Sequence, residues 1–131
     1  MKIISIIARF LLGLIFLLFG LNGFLHFIPS SPPSGTAGQF VGALFVSHYL
    51  VPIFLLQVIS AVLLLVNRYV PLALTLLAPI IVNILLIHTL MLPSGLPLAL
   101  LVTVLWVLVF LSVRSAFTGL LQQRVPGQAL R

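Results

Sequence analysis

Carboxamide and imidazole side chains interrupt the long apolar runs of this sequence. The five that lie inside those runs are Asn22, His26, Gln57, Asn83 and His88. Their N–H groups donate hydrogen bonds to carbonyl oxygens, and a neutral imidazole can also accept a hydrogen bond or ligate a metal ion. These residue types suit the binding of a polar head group better than covalent chemistry.

Several kinds of chemistry are excluded by the residue types that the chain lacks. It contains no Asp, no Glu and no Cys, and only three His. Carboxylate acid–base pairs, thiol relays and oxygen-ligated Ca²⁺ or Mg²⁺ sites cannot be built. The histidines lie in separate segments without short ligand spacing, and Zn²⁺ sites commonly use thiolates or carboxylates, so we expect no metal site. No catalytic constellation remains, and we expect no enzyme activity from the chain alone.

The elements that position these side chains are predicted to be membrane helices. Hydrophobic residues make up 63% of the 131 positions and charged residues 5%, against about a quarter charged in soluble proteins. A helix crosses the bilayer with about 20 apolar residues. The apolar runs predict four spans, at residues 3–28, 49–66, 70–91 and 96–113. The first run is too long for a signal peptide, so we interpret it as a retained span.

The predicted fold is all-α, a single membrane domain over residues 1–131. Its four transmembrane helices form an antiparallel bundle. Residues 39–48 are too short to span and are interpreted as an interfacial helix before the second span. Asn67 to Tyr69 and residues 92–95 form tight turns, and residues 114–131 form a polar cytoplasmic tail.

The basic residues predict the orientation of this bundle. Four antiparallel spans place all six on one side: Lys2, Arg9, Arg68, Arg114, Arg124 and Arg131. By the positive-inside rule both termini are then cytoplasmic. The cations are scattered singly, so nucleic acid is not an expected partner. Arg9 lies inside its span with no carboxylate to pair with, and we expect it to reach lipid phosphate.

Antiparallel threading brings the polar side chains to one layer, in the outer half of the bundle. One interpretation is that Asn22, Gln57 and Asn83 form interhelical hydrogen bonds that stabilise the bundle. The other is a polar niche for the head group of an amphiphile such as a quinone or a lipid, whose tail lies between helices.

The niche would be bounded by the five polar side chains, with Trp106 as its floor and His48 and Tyr49 at its entrance. The weak step is the direction in which the side chains face. Asn83 and His88 are five residues apart, about 140° around an ideal helix, so they face one site only if Pro79 alters the register.

Small residues on the first span predict close helix contact. Gly13, Gly20 and Gly23 share one face, which allows another helix to approach. We interpret this face as intramolecular, with homodimerisation as the alternative.

Four ordered strings resemble the DoxX-like family of small bacterial membrane proteins. They are ARFLLGLIFLLFGLNGFLHFIP (8–29), FVGALFVSHYLVP (40–52), LLLVNRYVPLALTLLAPIIVNILLIH (63–88) and the turn at 92–98. The resemblance covers nearly the whole chain. It implies a four-span fold, the bacterial cytoplasmic membrane, and an accessory role in a redox system linked to quinone.

The sequence departs from this family at two positions. Its look-alikes often carry Glu where Gln57 and Trp106 stand, so proton or cation chemistry that depends on those carboxylates is not implied here. The expected function is that of a non-catalytic subunit or accessory of a membrane redox system that binds an amphiphile and has a redox protein as its partner. The alternatives are a small transporter or channel, which could be oligomeric, and a structural scaffold for a partner complex.

Overall fold

The computed structural model describes residues 1–125 and residue 127. Five α-helices follow one another: α1 (Lys2–Leu25), α2 (Gly35–Val46), α3 (Leu50–Leu65), α4 (Val70–Leu90) and α5 (Leu96–Val113). A 3₁₀ turn at Pro93–Gly95 precedes α5, and a 3₁₀ helix at Arg114–Leu121 follows it. The described residues contain no strand, which confirms the all-α class. The last part of the predicted tail, including Arg131, lies outside the described residues.

Four of the helices form a ring in which each contacts two neighbours. Around the ring the order is α1, α3, α4 and α5, while α2 packs little against the others. The α4 and α5 helices each begin with a proline in the first turn, where its missing N–H costs nothing. The α4 helix then continues through Pro79 to Leu90.

Three helical segments are long and apolar enough to cross a membrane by themselves. They are Lys2–Leu25, Val70–Leu90 and Pro93–Leu121. The α3 helix has 16 residues, about 24 Å at 1.5 Å per residue, which is shorter than the apolar core of a bilayer. The α2 and α3 helices are together long and apolar enough to cross a membrane, but their axes meet at a bend of 85°. The described residues therefore hold three candidate spans, or four if the bent pair counts as one.

Two predicted boundaries are wrong because hydropathy does not reveal backbone caps. The first helix ends at Leu25 and not at 28, since His26 adopts a left-handed conformation at φ 52° and its N–H donates to Asn22 O. The helix before α3 begins at Gly35, four residues before the predicted start. The residues of α5, 96–113, are as predicted.

The glycine face of α1 packs against α3, as the sequence predicts. A Cβ atom at Gly13 would lie 3.0 Å from the Leu65 side chain, and one at Gly20 would lie 2.9 Å from Val58 Cγ2. At Gly23 it would overlap the Phe54 ring. Later residues of α1 meet earlier residues of α3, so the two helices are antiparallel and the face is intramolecular.

The bundle has two differently packed halves. We call the half next to the 67–69 turn the closed half, because it holds the largest fully buried side chains: Leu12, Leu64, Leu74, Leu77 and Val109. We call the half next to the 93–95 turn the open half, because cavities lie there between the helices. The open half corresponds to the predicted outer half.

Candidate functional site

A cavity of about 370 Å³ lies in the open half, lined by residues of α1, α3, α4 and α5. Most of its wall is apolar: Ile15, Phe16, Phe19, Gly23, Phe54, Ile84, Leu98, Ala99 and Val102. Three polar side chains reach it, those of Asn22, Gln57 and His88, each from a different helix. We call it the central cavity. An apolar cavity with a few convergent polar groups is typical of small-molecule sites.

Asn22 presents a hydrogen-bond donor to the central cavity because its acceptor is already used. Its Oδ1 accepts the Ile28 N–H at 2.7 Å, just beyond the end of α1. This bond fixes the amide so that Oδ1 faces the loop and leaves the Nδ2 group free of protein partners within the described residues. Asn22 therefore both ends its helix and offers N–H to a ligand.

His88 presents a hydrogen-bond acceptor. Its Nδ1 lies 3.0 Å from Leu92 O, and a carbonyl oxygen only accepts, so Nδ1 carries the proton in this contact. In the neutral ring Nε2 then has a free lone pair. Gly95 makes room for the ring, because a Cβ atom there would overlap the imidazole.

Gln57 is the most buried of the three, at 7% exposed. Within the described part of the chain its carboxamide has no hydrogen-bond partner, and its polar atoms reach the cavities, since Ser60 Oγ is the only fully buried side-chain polar atom there without a partner. The side chain lines both the central cavity and a second one. It is the residue best placed to bond a ligand from either side.

The second cavity, of about 450 Å³, lies between α2, α3 and α4. Phe54, Gln57 and Ile84 line both cavities and so form the wall between them. Tyr49, predicted at the entrance, lines this second cavity together with Asn83. We call it the lateral cavity.

The other predicted site residues lie away from the central cavity. Asn83 faces the lateral cavity while His88 faces the central one, in agreement with their separation around the helix. The exposed His26 meets the Phe45 ring edge-on at 6.1 Å. His48 is exposed in the turn between α2 and α3 and has φ 61°.

Trp106 lines neither cavity. Its indole N–H donates to Leu74 O at 3.0 Å, and its ring stacks on Phe110 at 5.3 Å between centroids. The residue lies where α5 packs on the first turns of α4. The structure places it in the contact between these helices and not at the floor of the site.

The interhelical hydrogen bonds predicted for three carboxamides are not formed. Asn22 bonds the loop, Asn83 donates to Pro79 O in its own helix at 2.8 Å, and Gln57 is unbonded within the described residues. The side-chain bonds between helices come instead from Trp106 and from Arg9, whose guanidinium donates to Leu64 O. Arg9 thus binds the last turn of α3, whereas the sequence predicted lipid phosphate.

Three residues of the site were missed in the sequence analysis. Phe54 and Ile84 form the wall between the cavities, but apolar residues within apolar runs carry no signal of their own. Gly95 was assigned only to a turn. The signal for its role is its place seven residues after His88, across the tight 92–95 connection.

The central cavity carries no fixed charge, and residues 1–125 with 127 contain no group of three side chains able to hold a metal ion. It can therefore bond a neutral polar group but not neutralise a charged one. Comparisons of the chain with protein-family models, with curated proteins and with solved structures found no match.

Proposed function

We propose that this chain is a DoxX-like protein of the bacterial cytoplasmic membrane, with four spans and both termini cytoplasmic. The resemblance of the four strings supports the family. The three apolar helices and the bent α2–α3 pair supply enough segments for four crossings. The basic residues from both ends of the chain and from the 67–69 turn lie at the closed-half end: Lys2, Arg9, Arg68 and Arg114. Four crossings of the membrane would place them all on the cytoplasmic side.

Cysteine labelling tests this topology, since the chain has no native Cys. Ser94→Cys in the 93–95 turn should react with an impermeant thiol reagent in intact cells. Gln123→Cys should react only after the cells are opened. The reverse pattern would overturn the orientation, and equal labelling of both would overturn the crossing of the membrane by α5 and with it the four-span topology.

We further propose that the central cavity binds the head group of an amphiphile, with a quinone as the leading candidate. The observation that carries this is the set of three polar side chains with free hydrogen-bonding groups in an apolar cavity. The carboxamide N–H groups of Asn22 and Gln57 suit the carbonyl oxygens of a quinone. His88 Nε2 suits the hydroxyl of the corresponding quinol, so both redox forms find partners.

The two cavities together suit an amphiphile better than a small polar solute. At about 370 Å³ the central cavity is near the lower end of the range for small-molecule sites, roughly 300–1,000 Å³. It suits a ring but not a long tail. In this proposal the tail extends past the Phe54 and Ile84 side chains into the lateral cavity. Tyr49 lies at the entrance of the lateral cavity.

The chain acts in this proposal as a non-catalytic accessory of a membrane redox system. It binds and orients the quinone, while a partner protein supplies or removes electrons. A lipid is the alternative ligand, since its carbonyl and hydroxyl groups match the same side chains. A channel is disfavoured by the fully buried Leu12, Leu64 and Leu74, which block the closed half below the cavity.

Analysis of small molecules that co-purify in mild detergent tests the ligand. Quinone should be retained by the wild-type protein and lost from the Gln57→Leu/His88→Leu variant. Thr75→Leu/Thr89→Leu is the matched control, because both threonines lie outside the two cavities and bond their own helix. Retention of a lipid in place of quinone would change the ligand class. Equal quinone in all three proteins would overturn the site.

A further inference from the structure

We propose that a groove between the start of α1 and the end of α5 binds the phosphate group of an anionic phospholipid. The groove has a volume of about 500 Å³ and lies at the closed-half end of the bundle. Lys2 and Arg114 reach it from the two helix ends, and Ile4, Leu108 and Leu111 form its apolar wall. It shares no lining residue with the central or lateral cavity.

The groove is positively charged, and the anion that balances this charge has to come from outside the chain. The whole sequence has no Asp or Glu, so neither Lys2 nor Arg114 can pair with a carboxylate side chain. Arg9 differs, because its guanidinium is bonded to Leu64 O. Arg68 differs as well, since it lies in the 67–69 turn and outside the groove. Two cations that face one concavity from two helices form a pair of donors for one phosphate.

The apolar wall favours a phospholipid over a free anion. Ile4, Leu108 and Leu111 continue the groove toward the middle of the bundle, where the acyl chains of a bound lipid would lie. The hydroxyl groups in the groove bond their own helices, Ser5 to Lys2 O at 2.9 Å and Ser112 to Val109 O at 2.6 Å. The cations therefore supply the hydrogen bonds to phosphate, and the helices supply the surface for the tails.

This inference rests on the membrane placement proposed above but not on the ligand of the central cavity. In that placement the groove faces the cytoplasmic leaflet, whose anionic lipids attract basic residues near the surface. The lipid would also hold the two helix ends together, because α1 and α5 are neighbours in the ring.

Lipid titration followed by native mass spectrometry tests the groove. Dioleoylphosphatidylglycerol is added to the full chain in neutral detergent, with dioleoylphosphatidylcholine as the reference lipid. Each basic residue near an anionic surface contributes about fivefold to binding, so Lys2→Gln/Arg114→Gln should weaken phosphatidylglycerol binding roughly 25-fold. The matched control is Arg68→Gln/Arg124→Gln, which removes two cations outside the groove and should change binding less than twofold.

A third variant separates shape from charge. Ser112→Phe keeps both cations but fills the groove, and it should lower phosphatidylglycerol binding severalfold. Circular dichroism of each variant in the neutral detergent checks that the helices are intact. Equal losses in the two charge variants, or no preference of the wild type for phosphatidylglycerol, would overturn the site. Competition by glycerol 3-phosphate at the lipid's own concentration would overturn the assignment to a lipid. Quinone retention is measured separately, so failure here leaves the central cavity untouched.

Discussion

The two halves of the bundle differ in whether their long polar side chains bond a neighbouring helix. In the closed half, Arg9 and Trp106 each donate across a helix contact to a backbone carbonyl, on Leu64 and Leu74 respectively. In the open half, Asn22 and Asn83 bond within their own helix or the adjoining loop, and the Gln57 carboxamide is unbonded within the described residues. The side-chain hydrogen bonds between helices lie in the closed half, and the polar side chains at the central and lateral cavities make none within the described residues.

In our proposal, the closed half is stabilised by side-chain bonds between helices, and the open half holds the quinone. Polar groups in lipid need partners inside the protein, so bonds between helices stabilise the bundle. Side chains whose donors or acceptors face a cavity without a partner lower the stability of the protein. They form hydrogen bonds only when a ligand occupies the cavity. Stability and ligand binding should therefore respond to different mutations.

Truncation of one leucine in each half tests the contrast with the largest expected effect. Leu74→Ala empties a fully buried position and should lower the free energy of unfolding by about 2–5 kcal/mol. Leu98→Ala, at a position 40% exposed on the wall of the central cavity, should cost about 1 kcal/mol or less. Denaturation in mixed micelles measures both. Equal losses would mean that the halves are equally well packed.

Removal of the arginine that joins α1 to α3 should have the next largest effect. Arg9→Met keeps the length of the side chain but loses the bond to Leu64 O, and hydrogen bonds to charged groups contribute about 1.5–3 kcal/mol. Arg9→Lys should recover part of the loss. Arg68→Met is the control, because that exposed residue should change stability by less than about 0.5 kcal/mol. If the Arg9→Met protein is as stable as the control, Arg9 binds lipid phosphate and its bond to Leu64 O does not stabilise the bundle.

The sequence predicted the helices better than the partners of their side chains. Hydropathy located the five α-helices but not the 3₁₀ helix at Arg114–Leu121, and glycine spacing located the α1–α3 contact through Gly13, Gly20 and Gly23. Both are properties of whole segments, which composition and periodicity record. The left-handed cap at His26 and the 85° bend after α2 depend on single backbone angles, which those patterns do not contain.

The sequence predicted how deep the site residues lie along their helices but not the direction in which their side chains face. Counting along antiparallel spans brought Asn22, Gln57 and His88 to one layer, and the structure places them around one cavity. Trp106 was assigned to the same site from depth alone. Its actual partner, Leu74 O, is a backbone atom on another helix, and no sequence pattern marks which carbonyl a neighbouring helix will present.

Replacement of the tryptophan separates its two contacts in the closed half. Trp106→Phe keeps an aromatic ring to stack on Phe110 but loses the indole bond to Leu74 O. Such bonds in membrane proteins contribute about 0.6 kcal/mol on average, so a small drop in stability is expected. Quinone retention should be unchanged, because Trp106 lines neither cavity. Loss of quinone with unchanged stability would place Trp106 in the site after all.

The smallest effect on stability, and the one of opposite sign, is expected at Gln57. Gln57→Leu breaks no hydrogen bond within the described residues and removes a buried amide, so the free energy of unfolding without ligand should stay the same or rise by up to about 1 kcal/mol. The same change should abolish quinone retention, since the carboxamide lines the central cavity. The wild-type protein alone should also gain stability when quinone is added, because a ligand that binds only the folded state stabilises it. A clear loss of stability in Gln57→Leu, with quinone still retained, would show that the open half uses its polar groups as the closed half does and would remove the contrast between them.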